Sequence, residues 1–381
     1  MEEPAVRSAG KHVCYPNIRI PMTTVRIDVP TPSRRYAVTL GHGVLDKLPR
    51  VLDEAGAPAR RFVVSSPLVW RLHGARLGRA GLGEPILVPD GERFKNLQTV
   101  SRVYDALVKA NAERQSTLVT FGGGVVGDLA GFAAASYLRG IALAHVPTTL
   151  LAQVDSAIGG KTGVNHPLGK NLIGAFHAPS LVVADPVVLE TLPRREFRAG
   201  LYEVIKYGVI AEPSLLDRMR QTLPAIFARD GSAVAPLVAE SCRIKARVVS
   251  ADERESGLRR ILNFGHTVGH ALEAVTKYKR FRHGEAIGYG MMAALAIGVT
   301  RGITPKSLGE EVDALIIQLG PLPPVGDISS KEVLTAITRD KKVVSGTLHF
   351  IAASDRGTTV ELTDVTEKEI KTALKKLGLA P

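Results

Sequence analysis

His266 and His270, in the block LNFGHTVGHALE, stand four residues apart, which places two imidazoles on one face of a helix. Either both reach one ion, or one is a ligand and the other makes hydrogen bonds or moves protons. The acid of the H-E-x-x-H pattern is missing, so this is not the zinc-protease arrangement. A third histidine, His283 in FRHGEAIGYGMM, begins the next helical run, with Gly284 leaving room beside it. Glu203, in AGLYEVIKYG, sits in an otherwise apolar helix, where a lone carboxylate is costly unless it is paired or coordinates a cation. Two histidines, one carboxylate and an open position make a site that can polarise a substrate oxygen, as catalytic zinc does.

A second chemistry-bearing stretch is VTFGGGVVGDLAGFAAASYLRG, residues 119–140, with glycine at 122, 123, 124 and 127. Each bare position costs roughly 0.5–1 kcal/mol of backbone entropy, so four together need a reason. STLVTF before them reads as a strand and LAGFAAASYL after them as a helix, so the glycines form a strand-to-helix turn. Gly122, Gly124 and Gly127 fit the G-x-G-x-x-G spacing that receives a pyrophosphate on bare amides and a helix N-terminus. The plain alternative is a tight turn without a ligand. The next strand, IALAHVP, ends in Pro147-Thr148-Thr149 where a ribose-binding acid is usual, so a dinucleotide here needs its ribose held by another segment.

The cations form a third set. Lys161 and Lys170 lie in the glycine-rich segment GGKTGVNHPLGKNLIGAF, Lys206 follows Glu203 by three residues, and Lys245 and Arg259 precede the histidine helix. Most lysines are solvated surface charges. In a weakly charged, glycine-rich segment, however, Lys161 and Lys170 suit phosphate binding better than solubility. A metal, a dinucleotide and several cations together call for a substrate with more than one negative charge.

The elements that must position these groups follow from the apolar patterning. At 381 residues and 45% hydrophobic content the chain is long enough for two domains and is not of the disordered class. RRFVVSS, EPILVPD, STLVTFGG, IALAHVP and LVVADP read as short strands, and VSRVYDALVKANA as an amphipathic helix between two of them. Such alternation predicts a largely parallel, Rossmann-like sheet with helices on both faces over residues 22–190. From Pro193 the periodicity is helical, with one β excursion at KKVVSGTLHFIAA, so residues 191–381 read as a mostly α-helical metal- and substrate-binding domain. Residues 1–21 lack the apolar centre of a signal peptide and read as a loose extension or start-site artefact before Met22. Cys14 and Cys242 make neither a disulfide framework nor a C-x-x-C site, which points to a reducing compartment, the cytoplasm. There is no apolar run of about 18 residues, hence no membrane span. The net charge of +12 is not gathered into a tail and aromatics are only 5%, so small anions fit it better than nucleic acid.

Taken together, GGGVVGDLAGFAAA, PTTLLAQVDSAIGGKTGVNHPLGKNLIGAF, EVIKYG, LNFGHTVGHALE and HGEAIGYGM resemble the 3-dehydroquinate synthase family, from about Met22 to the C-terminus. Five blocks in order over some 170 residues make the resemblance highly specific. It implies a dehydroquinate synthase-like fold and a cyclase that uses NAD and one divalent metal, zinc or cobalt, on 3-deoxy-D-arabino-heptulosonate 7-phosphate. In the implied scheme the carbon 5 hydroxyl is oxidised, phosphate is eliminated, the hydride returns, and ring opening and an intramolecular aldol closure give the carbocycle.

The resemblance implies that Glu203, His266 and His283 are the metal ligands and that His270 serves the substrate and proton transfer. It puts the ribose on Asp90, Gly91, Glu92 and Lys95, and the pyrophosphate on Gly123, Gly124, Val125, Val126, Gly127 and Asp128. Thr148 and Thr149 fall on the nicotinamide side, with Lys161 and Lys170 adding nucleotide contacts. Arg139, Lys161 and Asn171 fall near the phosphate or the ring, with Asn171 preferred to Asn165 by the Gly-Lys-Asn pattern. Lys206, Lys245, Arg259, Asn263 and the Asp340-Lys341-Lys342 stretch receive carboxylate and hydroxyls, and Asp155 and Glu255 complete the polar shell. Where relatives often offer Asp or Asn to the adenosine, this chain has Ser65-Ser66-Pro67. A homodimer is the family expectation. The competing readings are another sugar phosphate cyclase, whose substrate lacks the carboxylate that Lys245 and Arg259 suit, and a metal-dependent polyol dehydrogenase, which would release NADH.

Overall fold

The computed structural model describes residues 24–343 and 348–381, with the side chains of 340–343 excepted. The 1–21 extension, Cys14 and the side chains of Asp340, Lys341 and Lys342 lie outside the described residues. The first half contains strands β1 (Val25–Pro30), β2 (Arg35–Leu40), β3 (Arg60–Ser65), β4 (Ile86–Leu87), β5 (Ser116–Gly122), β6 (Ala142–Pro147), β7 (Lys161–His166), β8 (Gly169–Phe176) and β9 (Leu181–Ala184). Helices α1 (Leu48–Glu54), α2 (Pro67–Arg79), α3 (Leu97–Lys109) and α4 (Gly124–Ser136) alternate with them.

Seven of these strands form one sheet in the order β1-β2-β9-β6-β5-β3-β4, with β1 antiparallel to β2 and the other pairs parallel. Strand β5 is buried at every residue, as its β-branched run requires of a centre strand covered on both faces. Val100, Val103 and Leu129 pack on one face. The other face continues through Val38, Val146 and Val182 into Val204, Ile244 and Ile287 of the second half. The chain goes outward from β3 to β4 and returns to the other side of β3 as β5, so the strand order reverses between β3 and β5, and the glycine turn lies just beyond this switch point.

The second half is α5 (Arg194–Ile210), α6 (Ser214–Phe227), α7 (Gly231–Ala251), α8 (His266–Val275), α9 (His283–Thr300), α10 (Lys306–Gln318), α11 (Ser330–Val343) and α12 (Glu367–Lys376), with the antiparallel pair β10 (Phe350–Asp355) and β11 (Thr358–Leu362). Among the described residues no helix is long and apolar enough to cross a membrane.

Two sequence expectations need correction. In KKVVSGTLHFIAA, of which residues 344–347 lie outside the described residues, the β reading holds from Phe350, whereas Lys341, Lys342 and Val343 are the last turn of α11. Of EPILVPD only Ile86 and Leu87 pair with the sheet. The glycine-rich segment carrying Lys161 and Lys170 is a hairpin, β7 against β8. Its glycines serve the strand pairing, since a Cβ on Gly174 would lie 2.4 Å from the Thr162 carbonyl oxygen.

Candidate active site

Close backbone contacts between α5, α8 and α9 assemble the histidines and Glu203. A Cβ on Gly290 would lie 1.7 Å from the Gly265 carbonyl oxygen, and one on Gly284 would lie 1.9 Å from that of Ala199. Thus the room beside His283 is taken up by helix α5, and that contact carries Glu203 toward the histidines. His266 Nε2 is 3.8 Å and His283 Nε2 3.5 Å from Glu203 Oε1. The ligand atoms of His266, His270 and His283 all lie within 4.8 Å of one another, and His270 is the exposed member.

The electrostatics of this cluster demand a cation. Glu203 is 0% exposed and neither of its oxygens receives a hydrogen bond. Lys206 Nζ sits 2.5 Å from Oε2, an ion pair without hydrogen-bond angles. Burial opposes ionisation of Glu203, yet Lys206 and the two imidazoles outweigh it and hold its carboxyl down at about 2. Burial likewise opposes protonation of His283, but Glu203 on Nε2 and Glu273 on Nδ1 prevail and raise it to about 10. Carboxylates on both sides of one imidazole call for a positive charge there, which a divalent ion supplies as well as a proton. His266, half-buried and near the Lys206 charge, is pushed well below its ordinary range by desolvation and that charge and offers a neutral nitrogen. The donor set of carboxylate and imidazole, with orphaned buried oxygens, fits zinc or cobalt.

Behind this cluster Lys245 Nζ donates to the Asp155 carbonyl and to Asp155 Oδ1, both at 2.7 Å, and Tyr207 donates to the same carboxylate. Burial disfavours the Asp155 anion, but Lys245 and Lys206 hold its carboxyl well below the usual range. Arg259 is 2% exposed and reaches the Gly159 carbonyl, while its own amide donates to Asp252. Lys161, half exposed on β7, is ion-paired with Glu255, which also accepts from Asn263.

On the nucleotide side, α4 starts at Gly123 without a side-chain cap, so its first amides stay available to a ligand. None of Gly122, Gly123, Gly124 or Gly127 has a positive φ. Close approach is what requires the glycine, since a Cβ on Gly123 would come 2.9 Å from Thr149 Cγ2. Thr148 is buried and its hydroxyl has no hydrogen-bond partner. Val125 and Val126 follow in the first turn, Val126 packing into the core. Lys95, 4% exposed, bridges Asp128 Oδ2 at 2.5 Å and Asn171 Oδ1 at 2.6 Å. Asn165 contacts Glu92 and accepts from the Asn171 amide, so both asparagines belong to this network. The free amides and the orphaned Thr148 hydroxyl fit a dinucleotide. Asp90 and Gly91 lie exposed on the loop before Glu92, Gly91 with φ of 102°. Ser65 donates to the Phe121 carbonyl and Ser66 caps α2, so these serines serve the fold.

Arg139 is not brought to the cluster. It stands exposed on the turn after α4 at a left-handed φ of 70°, with no hydrogen bond or ion pair among the described residues. Tyr207, Asp252 and Glu273 were missed by the sequence reading. Only Glu273 carried a signal, three residues after His270 and seven after His266 on the same helical face.

Comparison with known proteins gives the family of the chain. Residues 85–199 match the family model for the 3-dehydroquinate synthase N-terminal region and residues 200–343 that for its C-terminal region. A 3-dehydroquinate synthase from Gloeobacter violaceus is 50% identical over 334 residues, covering 86% of this chain and 92% of the relative. One from Geobacter sp. (strain M21) is 44% identical, covering 87% and 92%. Among solved structures, 2-epi-5-epi-valiolone synthase from Streptomyces hygroscopicus subsp. jinggangensis, with NAD+ and Zn2+ bound, superposes with a TM-score of 0.83 at 28% identity, over 90% of this chain and 96% of that one. A 2-deoxy-scyllo-inosose synthase complexed with carbaglucose-6-phosphate, NAD+ and Co2+ gives 0.80 at 27%, over 93% and 99%.

Proposed function

Because the chain belongs to the 3-dehydroquinate synthase family, we propose that it converts 3-deoxy-D-arabino-heptulosonate 7-phosphate to 3-dehydroquinate and phosphate, the reaction of the shikimate pathway that feeds aromatic amino acid synthesis. The observation that carries the reading is buried Glu203, with no hydrogen bond to either oxygen, His266 and His283 beside one and Lys206 beside the other. When bound, NAD supplies a transient hydride acceptor and the divalent ion a Lewis acid for the substrate oxygens.

The protein's own groups do the rest. Glu203, His266 and His283 hold the metal, and His270, at the exposed side, moves the proton of the substrate hydroxyl through its imidazole. Lys206, Lys245, Arg259 and Asn263 fix the substrate carboxylate and hydroxyls, with Lys245 oriented by Asp155. Lys161 and Asn171 receive the phosphate, whereas Arg139, which stands away from the cluster, is given no part in it. The amides from Gly123 to Gly127, with Asp128, meet the pyrophosphate, Thr148 and Thr149 the nicotinamide, and Asp90, Gly91, Glu92, Lys95 and Lys170 the ribose side. A carboxylate in the substrate is what favours this reaction over that of a related cyclase, because Arg259 is a buried guanidinium whose side chain donates only to the Gly159 and Glu253 carbonyls among the described residues.

The reading also places a domain boundary at 190/191, where the turn Pro186–Thr191 gives way to α5, and assigns the protein to the cytoplasm as a homodimer. Exposed Leu168, Leu172 and Phe176 on the hairpin support association, and sedimentation equilibrium giving a monomer throughout the micromolar range removes it. The activity is tested by phosphate release from the heptulosonate phosphate with catalytic NAD, following absorbance at 340 nm. Phosphate without accumulating NADH supports the cyclase. NADH without phosphate indicates a dehydrogenase, and silence in both indicates a cyclase for another sugar phosphate.

A further inference from the structure

Glu273 is 4% exposed and bonded on both sides: one oxygen is 3.1 Å from Lys170 Nζ and the other 3.1 Å from His283 Nδ1. Lys170 belongs to the β7–β8 hairpin of the first half, Glu273 and His283 to helices α8 and α9 of the second. Lys170 also lies 3.8 Å from Glu92 and 4.8 Å above the Tyr278 ring, and the Tyr278 amide donates to the Glu273 carbonyl, which pins the last turn of α8 beneath the lysine. Toward the glycine turn, Glu92 accepts from Asn165, Asn165 from the Asn171 amide, and Asn171 from Lys95, which pairs with Asp128. A chain of bonded side chains thus runs from the start of α4 to a metal-ligand histidine.

Resting on the metal and nucleotide assignments above, we propose that Glu273 is a positioning residue through which nucleotide binding tightens the metal site, with Lys170 as its switch. The physical reason is that one ammonium is shared by two carboxylates. Ribose hydroxyls that take up Glu92 leave Lys170 to Glu273 alone. The Glu273 carboxylate then has one fixed place, and the His283 ring, held at Nδ1, presents Nε2 toward Glu203. An imidazole oriented by a carboxylate binds metal more tightly, with such partners typically worth about 10- to 100-fold in affinity. Coupling of this kind is reciprocal, so zinc must tighten NAD+ by the same factor.

The test is a zinc titration of metal-stripped full-length protein against a chromophoric chelator, with and without saturating NAD+, for the wild type, E273Q and K170Q. Wild type is expected to bind zinc at least about fivefold more tightly with NAD+. In E273Q zinc binding falls about 10- to 100-fold and the NAD+ effect vanishes. K170Q, titrated at an NAD+ concentration that direct binding shows to saturate it, is expected to lose the NAD+ effect. An unchanged NAD+ effect in either variant, or none in a wild type that binds both ligands, overturns the inference and leaves the enzyme assignment standing. A wild type that binds neither zinc nor NAD+ overturns both.

Discussion

Lys206 sets its ammonium 2.5 Å from Glu203 Oε2, one helical turn along α5, and neither side chain reaches solvent. Removing one partner of a buried ion pair leaves an uncompensated charge, at a cost of about 3–5 kcal/mol. Lys206→Met is therefore expected to destabilise metal-free protein by about 3 kcal/mol, and by clearly less once zinc has taken over the Glu203 charge. Urea melts with and without zinc measure both. An equal loss in the two conditions would mean that Glu203 does not face the metal.

His283 supplies a pH dependence. Its imidazole is raised to about 10 by its two carboxylates, so in metal-free protein it carries a proton below that pH. His266 is pushed well below its ordinary value and carries none near neutrality. Zinc must displace that one proton, so its affinity should fall about tenfold per unit as pH drops from 9 to 7. His283→Ala should abolish tight zinc binding and turnover while keeping the far-UV circular dichroism of the wild type. A flat pH profile would remove His283 from the ligand set.

Lys161 and Lys109 are both exposed lysines, yet only Lys161 is paired with a network, through Glu255 to Asn263. Lys161→Ala is expected to lower kcat/KM by about 10²-fold, as truncation of a charge at a binding site does. Lys109→Ala, on the outer face of α3, should change nothing. Equal effects in the phosphate-release assay would return Lys161 to the role of a solvated surface charge.

Gly290 sets the approach of α9 to α8, since a Cβ there would meet the Gly265 carbonyl oxygen at 1.7 Å. Gly290→Ala should cost about 1–3 kcal/mol through overpacking and also weaken zinc binding, because His266 and His283 sit at the starts of these two helices. Calorimetry with a zinc titration reads both, and an unaltered zinc affinity would show that helix spacing does not control the site.

The residues with the strongest local signals were legible in the chain itself. The glycine turn after STLVTF, the i and i+4 histidines and the lone glutamate in an apolar helix are patterns within one element, and the strand–helix alternation that gives the parallel sheet is a matter of periodicity. What remained hidden depends on atoms distant in sequence. The segment around Lys161 and Lys170 read only as glycine-rich and weakly charged, because the pairing of Gly163 with Gly174 that makes it a hairpin is cross-strand. Gly284 read as open space, whereas it admits the backbone of α5, 85 residues earlier at Ala199. Glu273 has its role only because the fold sets Lys170, 103 positions away, against one oxygen and His283 against the other. Residue types and their periods decide which elements form and which side chains can do chemistry. Which buried charges share a partner is decided by the packing of helices and hairpin, since burial turns a pairing that water would make negligible into one that orients a ligand.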